Sequence, residues 1–289
     1  MNPWRRAARR AAELAATLLV GGFLAAALVR LAPGFGVDER ELDPRLSGDS
    51  IAALRQSRGA EKGIGRMYLS YLGGWFHGDL GISHSLGRPV SELLRDRLPV
   101  TLRLAGAGLL GGWGLALLLA LPGVVSRTAA YDAAAAACSG FFLCLPAALL
   151  GVFCLWVGGP APAAVALVLF PKLFRYCRNA LLEAARLPHV ETAWAKGLGR
   201  MRILVGHILP GAVPQFLALL GVSVGMAFGA TIPMEVICDR PGIGQLAWQA
   251  ALSRDLMVLV NVTVLATGAT LAANFAADLG LAAWLGRRA

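Results

Sequence analysis

Residues 190–211 read "VETAWAKGLGRMRILVGHILPG", a punctuated, cationic stretch between two long apolar runs. Residues 190–196 follow Pro188 and are competent to form a short helix, and Gly197 and Gly199 permit a backbone reversal with positive φ. Met201, Ile203, Leu204 and Ile208 then recur at the spacing of a second amphipathic helix, with Pro210 and Pro214 at the start of the next apolar run. Two short helices joined by a glycine elbow make a compact knob beside a span. A knob of that kind is a docking surface.

Outward from this stretch the chain is dominated by unbroken apolar runs: 57% of its 289 residues are hydrophobic and only 15% are charged. A spanning helix needs roughly 20 apolar residues to cross a hydrocarbon core of ~30 Å. Six stretches qualify, at about residues 11–31, 100–121, 133–157, 161–182, 212–233 and 256–283. The expected fold is an all-α polytopic membrane protein of six transmembrane helices. The fourth stretch carries Lys172, Arg175 and Arg178 in its second half, so it is expected to end early or to continue into water.

The net charge of +10 is distributed by topology. Arg5, Arg6, Arg9 and Arg10 precede the first stretch, Arg127 follows the second, Lys172, Arg175, Arg178, Arg186, Lys196, Arg200 and Arg202 cluster before the fifth, and Arg287 and Arg288 end the chain. If the spans alternate, all lie on one side, the positive-inside pattern with both termini cytoplasmic. A nucleic-acid footprint is not implied. Three regions follow: residues 1–32, a short N-terminus and first span; residues 33–99, an extracytoplasmic cap; and residues 100–289, the membrane core, with the docking loop at 183–210. Within the cap, Val90, Leu93, Leu94 and Leu98 share one face of an expected interfacial helix that leads into the second span.

Catalytic constellations are missing. There is no phosphate-binding G-x-x-x-x-G-K-[ST], no H-E-x-x-H, and His77, His84, His189 and His207 are scattered, so neither a bound nucleotide, nor a metal, nor any cofactor is expected. Ser139 in "CSGFF" lacks the glycine spacing of a nucleophile elbow and reads as a packing serine. The five cysteines form no metal or disulfide framework. Asp278 is the clearest acid inside a span and reads as an interfacial partner for a basic group.

The opening stretch resembles the cytoplasmic "EAA" loop of ABC importer permeases, whose pattern is E-A-A, three residues, G, nine residues, I-x-L-P. Glu191, Thr192 and Ala193 occupy the first places, Gly197 the glycine, and Leu209 and Pro210 the close, with His207 at the isoleucine place. A literal "EAA" at Glu183, Ala184 and Ala185 has the wrong spacing. Further motifs resemble the dipeptide, oligopeptide and nickel permeases: "GDLGIS" (78–83), "GRPV" (87–90), "RLPVTLRL" (97–104), "AWAKGLGRMRILVGHILPGAVP" (193–214), "RPGIGQL" (240–246) and "SRDLMVL" (253–259). Departures at "PGFG" (33–36), "CLPAALLG" (144–151) and "LGR" (285–287) fall outside the docking loop.

The resemblance implies a permease that forms half of a translocation path for a peptide-like or other small solute. It implies a second permease subunit, two ABC ATPases, an extracytoplasmic solute-binding protein and membrane lipid as partners, with ATP hydrolysed in subunits other than this one. Val190, Glu191, Thr192, Ala193, Trp194, Ala195, Lys196 and Gly197 are then the expected ATPase-coupling residues, Glu191 accepting hydrogen bonds and Ala193 and Trp194 packing into the ATPase cleft. Span order suggests Met226 and Thr231 for the translocation path. A secondary transporter or channel working without ATPases is the alternative.

Overall fold

The computed structural model describes residues 78–126 and 128–286, together with 16–17, 19–24, 27 and 73–74. Most of the first expected span and of the outer segment at 33–99 lies outside the described residues. Among the described residues all extended regular structure is helical: α1 (Val90–Ser126), α2 (Ala129–Cys144), α3 (Ala147–Trp156), α4 (Ala161–Ala185), α5 (Pro188–Ala195), α6 (Arg200–Ile203), a π-helical turn (Leu204–Ile208), α7 (Leu209–Ile237), α8 (Ile243–Leu252) and α9 (Leu256–Gly286). Among the described residues three helices are long and apolar enough to cross a membrane: α1, the continuous run Arg200–Ile237, and α9. The pair α2 and α3 adds a fourth if it is counted as one broken span.

Three boundaries differ from expectation. The expected interfacial helix near residue 90 is the opening of α1, which runs unbroken for 37 residues, about 55 Å at 1.5 Å per residue. The expected third span is two helices bent by 96°. The break falls at Leu145, held extended at φ −79°, ψ 129° because the ring of Pro146 excludes the helical region for the residue before it. Finally, α6 is no separate helix. It passes through the π-turn directly into α7, so Pro210 lies inside a continuous helical run, just after a π-turn that already departs from the i→i−4 ladder which a proline interrupts.

The chain divides into two compact units, residues 97–245 with 268–289, and residues 1–96 with 246–267. In the first, α4 is the central helix. Val165, Leu169, Phe170, Leu173, Phe174, Cys177 and Leu181 are all buried, and Phe170 makes an edge contact with Phe142 of α2 at 5.8 Å. Ser139 is buried and its hydroxyl donates to the Pro171 carbonyl at 3.2 Å, the packing role its sequence context suggested. Lipid is as apolar as leucine, so close approach rather than apolar burial decides which helix faces meet in a membrane. Gly108 and Gly112 sit four apart on the face of α1 against α4: a Cβ at Gly108 would strike Val165, and one at Gly112 would come within 3.0 Å of Leu169. Gly221 and Gly225 repeat the device on α7 toward Asn274 and Thr270 of α9.

The second unit contains a tight turn closed by one carboxylate. Asp255, 1% exposed, accepts hydrogen bonds from the Ser83 hydroxyl at 2.6 Å and from the Ser85 hydroxyl and N–H at 2.9 and 3.0 Å. Its other oxygen accepts from the Val258 N–H at 3.3 Å, which makes it the N-cap of α9. Burial pushes this carboxyl up, but the donors from Ser83, Ser85 and Val258 outweigh burial and hold it below the ordinary aspartate range.

Candidate coupling site

The elbow is built from backbone chemistry. Leu187 is extended at ψ 141° and Pro188 occupies the first turn of α5, a fixed φ that suits a helix start. At the other end Gly197 has φ +73°, its N–H bonds the Trp194 carbonyl at 2.9 Å and the Leu198 N–H bonds the Ala193 carbonyl at 3.3 Å. This pair of bonds around a left-handed glycine is the Schellman stop. Gly199 differs from expectation: its φ is −66°, so one glycine makes the reversal and the second begins α6. The π-turn that follows holds His207, whose ring lies 6.2 Å from that of His189 in α5, and Arg200 donates to the Val125 carbonyl at the end of α1.

The eight residues of α5 and its cap divide into two faces. Val190 is fully buried and Ala193 is 4% exposed, both joined to the core that includes Ile203 and Ile208. Glu191, Thr192, Ala195, Lys196 and Gly197 are exposed, and Trp194 is half-buried against that core. Ala193 therefore anchors the helix to its own subunit, contrary to the expectation that it packs into a partner's cleft. The reason is periodicity: residues three apart lie on one face, and Val190 already claims the inward one. Thr192 turns its hydroxyl back to the Pro188 carbonyl at 3.0 Å. The literal triplet at Glu183, Ala184 and Ala185 ends α4, where Glu183 accepts from Gln215 of α7 at 2.6 Å and Ala184 is buried. It is part of the helix packing.

Of the two residues assigned to the path from span order, Met226 lines a cavity of about 820 Å³ between α2, α4 and α7. Thr231 does not face open surface. It is 1% exposed and its hydroxyl donates to the Phe228 carbonyl at 2.8 Å, the back-bond that lets a hydroxyl sit inside an apolar helix.

The sequence reading passed over Glu235, near the C-terminal end of α7 and ahead of the "RPGIGQL" loop. It is fully buried and accepts from the Thr101 hydroxyl at 2.7 Å, the Gly244 N–H at 2.7 Å and the Gln245 N–H at 3.1 Å. Thr101 in turn accepts from the Ile243 N–H at 2.7 Å. A Cβ at Gly242 would collide with this carboxylate, and one at Gly244 would approach Ile232 Cα to 2.7 Å, so both glycines are sterically required. The available signal was an acid six residues ahead of a P-G-x-G turn, whose bare N–H groups need an acceptor.

The family model for the binding-protein-dependent transport system inner membrane component matches residues 92–289. A putative peptide permease protein of Brucella suis biovar 1 is 30% identical over 288 residues, covering 88% of this chain and 89% of the relative. The oligopeptide transport system permease protein AppB of Bacillus subtilis is 27% identical over 271 residues, covering 82% and 84%. Among solved structures, a chain of the MetNI methionine ABC transporter in an inward-facing conformation shares the fold with a TM-score of 0.58 at 22% identity, over 66% of this chain and 96% of that one. The two sequence relatives are named as permeases. The chain belongs to the family of binding-protein-dependent transport system inner membrane components, the ABC importer permeases that its loop and outer-segment motifs resemble.

Proposed function

We propose that the chain forms one half of the translocation path for a peptide-like solute and receives mechanical work from cytoplasmic ATPases through α5. The observation that carries this reading is the division of α5 into a buried face and an exposed one. Val190 and Ala193 fix the helix to the bundle, while Glu191, Thr192, Ala195 and Lys196 stand free of it and Gly197 sets its angle to the run that becomes α7. A rigid lever needs a seat on its own subunit and a separate surface for its driver. The peptide-like substrate class is taken from the names of the relatives.

In this reading a second permease completes the path, two ABC ATPases sit beneath it and a solute-binding protein delivers from outside. Residues 1–32 supply the first span, 33–99 the outer cap and 100–289 the core, six spans in all with both termini cytoplasmic. Met226 belongs to the path wall. Reporter fusions at the termini and in the 187–208 loop test the orientation. The coupling assignment is tested in the assembled transporter: Glu191→Arg and Gly197→Pro should insert and assemble, yet leave the ATPases unstimulated by loaded binding protein. Normal stimulation in both variants would mean that force enters elsewhere. Transport without ATPases is disfavoured by the family match.

A further inference from the structure

The cavity beside Met226 has a charge pattern that the coupling mechanism does not use. Its wall includes Lys172, Arg175 and Arg178 from consecutive turns of α4, with Leu143 of α2, Met226 of α7 and Phe174 as apolar surroundings. Phe174 is buried and braced by Phe170, so that part of the wall is fixed. Arg178 is paired with Asp132 of α2 at 3.1 Å, and its Nε is buried without a hydrogen-bond partner among the described residues. Lys172 and Arg175 are exposed and have no ion-pair partner among the described residues. No acid lines the cavity.

Two uncompensated cations at i and i+3 lie on one helical face, beside apolar walls that exclude part of the water and strengthen their attraction for an anion. The volume of about 820 Å³ falls within the range of about 300–1,000 Å³ typical of small-molecule sites. With no acid to receive an amine, the site discriminates between the two ends of a zwitterion. We propose that Lys172 and Arg175 bind the carboxylate end of the transported solute during its passage, with Leu143 and Met226 against its apolar part. This rests on the reading of the chain as a permease for peptide-like solutes.

The test uses the complete transporter reconstituted with its binding protein, and two probes that differ only at the group in question, Leu-Leu and Leu-Leu amide. The binding protein is unchanged throughout, so the ratio of variant to wild-type uptake for each probe isolates the permease. Lys172→Gln with Arg175→Gln should lower Leu-Leu uptake about tenfold and leave amide uptake within about twofold. The charge-conserving pair Lys172→Arg and Arg175→Lys should keep most of the Leu-Leu uptake, which separates charge from folding. An equal loss for both probes overturns the proposal; vesicles of phosphatidylglycerol against phosphatidylcholine then show whether the cations serve lipid headgroups or subunit assembly. Undiminished Leu-Leu uptake in the glutamine variant overturns the proposal while the permease reading stands. Failure of wild type to take up either probe, with ATPase activity intact, overturns the peptide-like reading and this proposal with it.

Discussion

The two ends of α7 carry glycine turns that are held in opposite ways. Before its N-terminal run, the elbow at Gly197 is closed by main-chain bonds and by two small inward side chains, Val190 and Ala193, while its polar groups face outward. After its C-terminus, the loop at Gly242 and Gly244 is closed by Glu235, whose carboxylate gathers a hydroxyl and two N–H groups out of reach of water. The first arrangement keeps a backbone shape while leaving the surface chemistry open to a partner. The second fixes a loop to α1 and α7 through a carboxylate that is itself fully buried. In the proposed coupling role the first would serve as a lever with a free face and the second as a joint that does not slip.

The largest effect on stability is expected at the carboxylate-closed end. Glu235→Leu removes one acceptor group from three buried donors, each of which costs about 1–3 kcal/mol when left unsatisfied. A loss on the order of 3–5 kcal/mol follows, read as a fall of several degrees in the apparent melting temperature of the detergent-solubilised complex. Glu235→Gln, which keeps a carbonyl acceptor, should fall between. If the leucine variant melts with the wild type, the contrast between the two ends of α7 collapses.

Next in size is the elbow itself. Gly197→Pro forces φ near −65° where +73° is required and removes the N–H that bonds Trp194, at a cost of about 3 kcal/mol. Gly197→Ala keeps the N–H and costs about 1–2 kcal/mol for a left-handed alanine. The pair should be graded in binding-protein-stimulated ATPase activity, proline near the basal rate and alanine intermediate. Equal activities would show that the angle of α5 is immaterial.

A third experiment extends the comparison to Asp255, another carboxylate that closes a turn. Its folded titration lies below the ordinary aspartate value of about 3.9. Its contribution is therefore complete above about pH 4 and is lost as pH falls through the lower folded value. Asp255→Asn keeps an acceptor but not the charge, and should loosen the turn at residues 81–90 by about 1 kcal/mol, read by hydrogen exchange of the Ser85 and Val90 amides. The gap between wild type and variant should be constant from pH 8 to pH 5 and narrow below about pH 4. A gap that grew on acidification would contradict the anionic latch.

The glycine stop was legible in sequence because Gly197 follows a run of helix-competent residues and falls at a family spacing; only left-handed backbone there explains the choice. Gly199 carried the same letter but not the same conformation, since a glycine permits positive φ without requiring it. The break at Pro146 was masked by the surrounding apolar run, although proline marks the preceding residue as non-helical. Which face of α5 turns inward was decided by Ile203, Ile208 and the end of α4, contacts distant enough in sequence that Ala193 was sent to the wrong side. Glu235 escaped because a hydropathy reading treats an acid at a span's end as solvated, whereas its donors come from Thr101 and a loop ten residues away.

The smallest effect on stability is expected at Glu191, and it is the most informative. Its side chain is exposed and makes no hydrogen bond or ion pair with another described residue, so Glu191→Arg should change stability within about 0.5 kcal/mol apart from a small dipole term in the first turn of α5. Gly197→Pro acts by bending the lever, whereas Glu191→Arg leaves the lever intact and alters only the surface that a partner touches. Loss of stimulated ATPase activity in the arginine variant, at unchanged melting temperature and assembly, would separate the contact from the shape. A compensating acidic substitution in the ATPase groove that restored stimulation would identify the groove residue facing Glu191. If the arginine variant instead keeps wild-type stimulation while Gly197→Pro loses it, α5 transmits force through its geometry alone, and the exposed face at Glu191 is not where the ATPase bears.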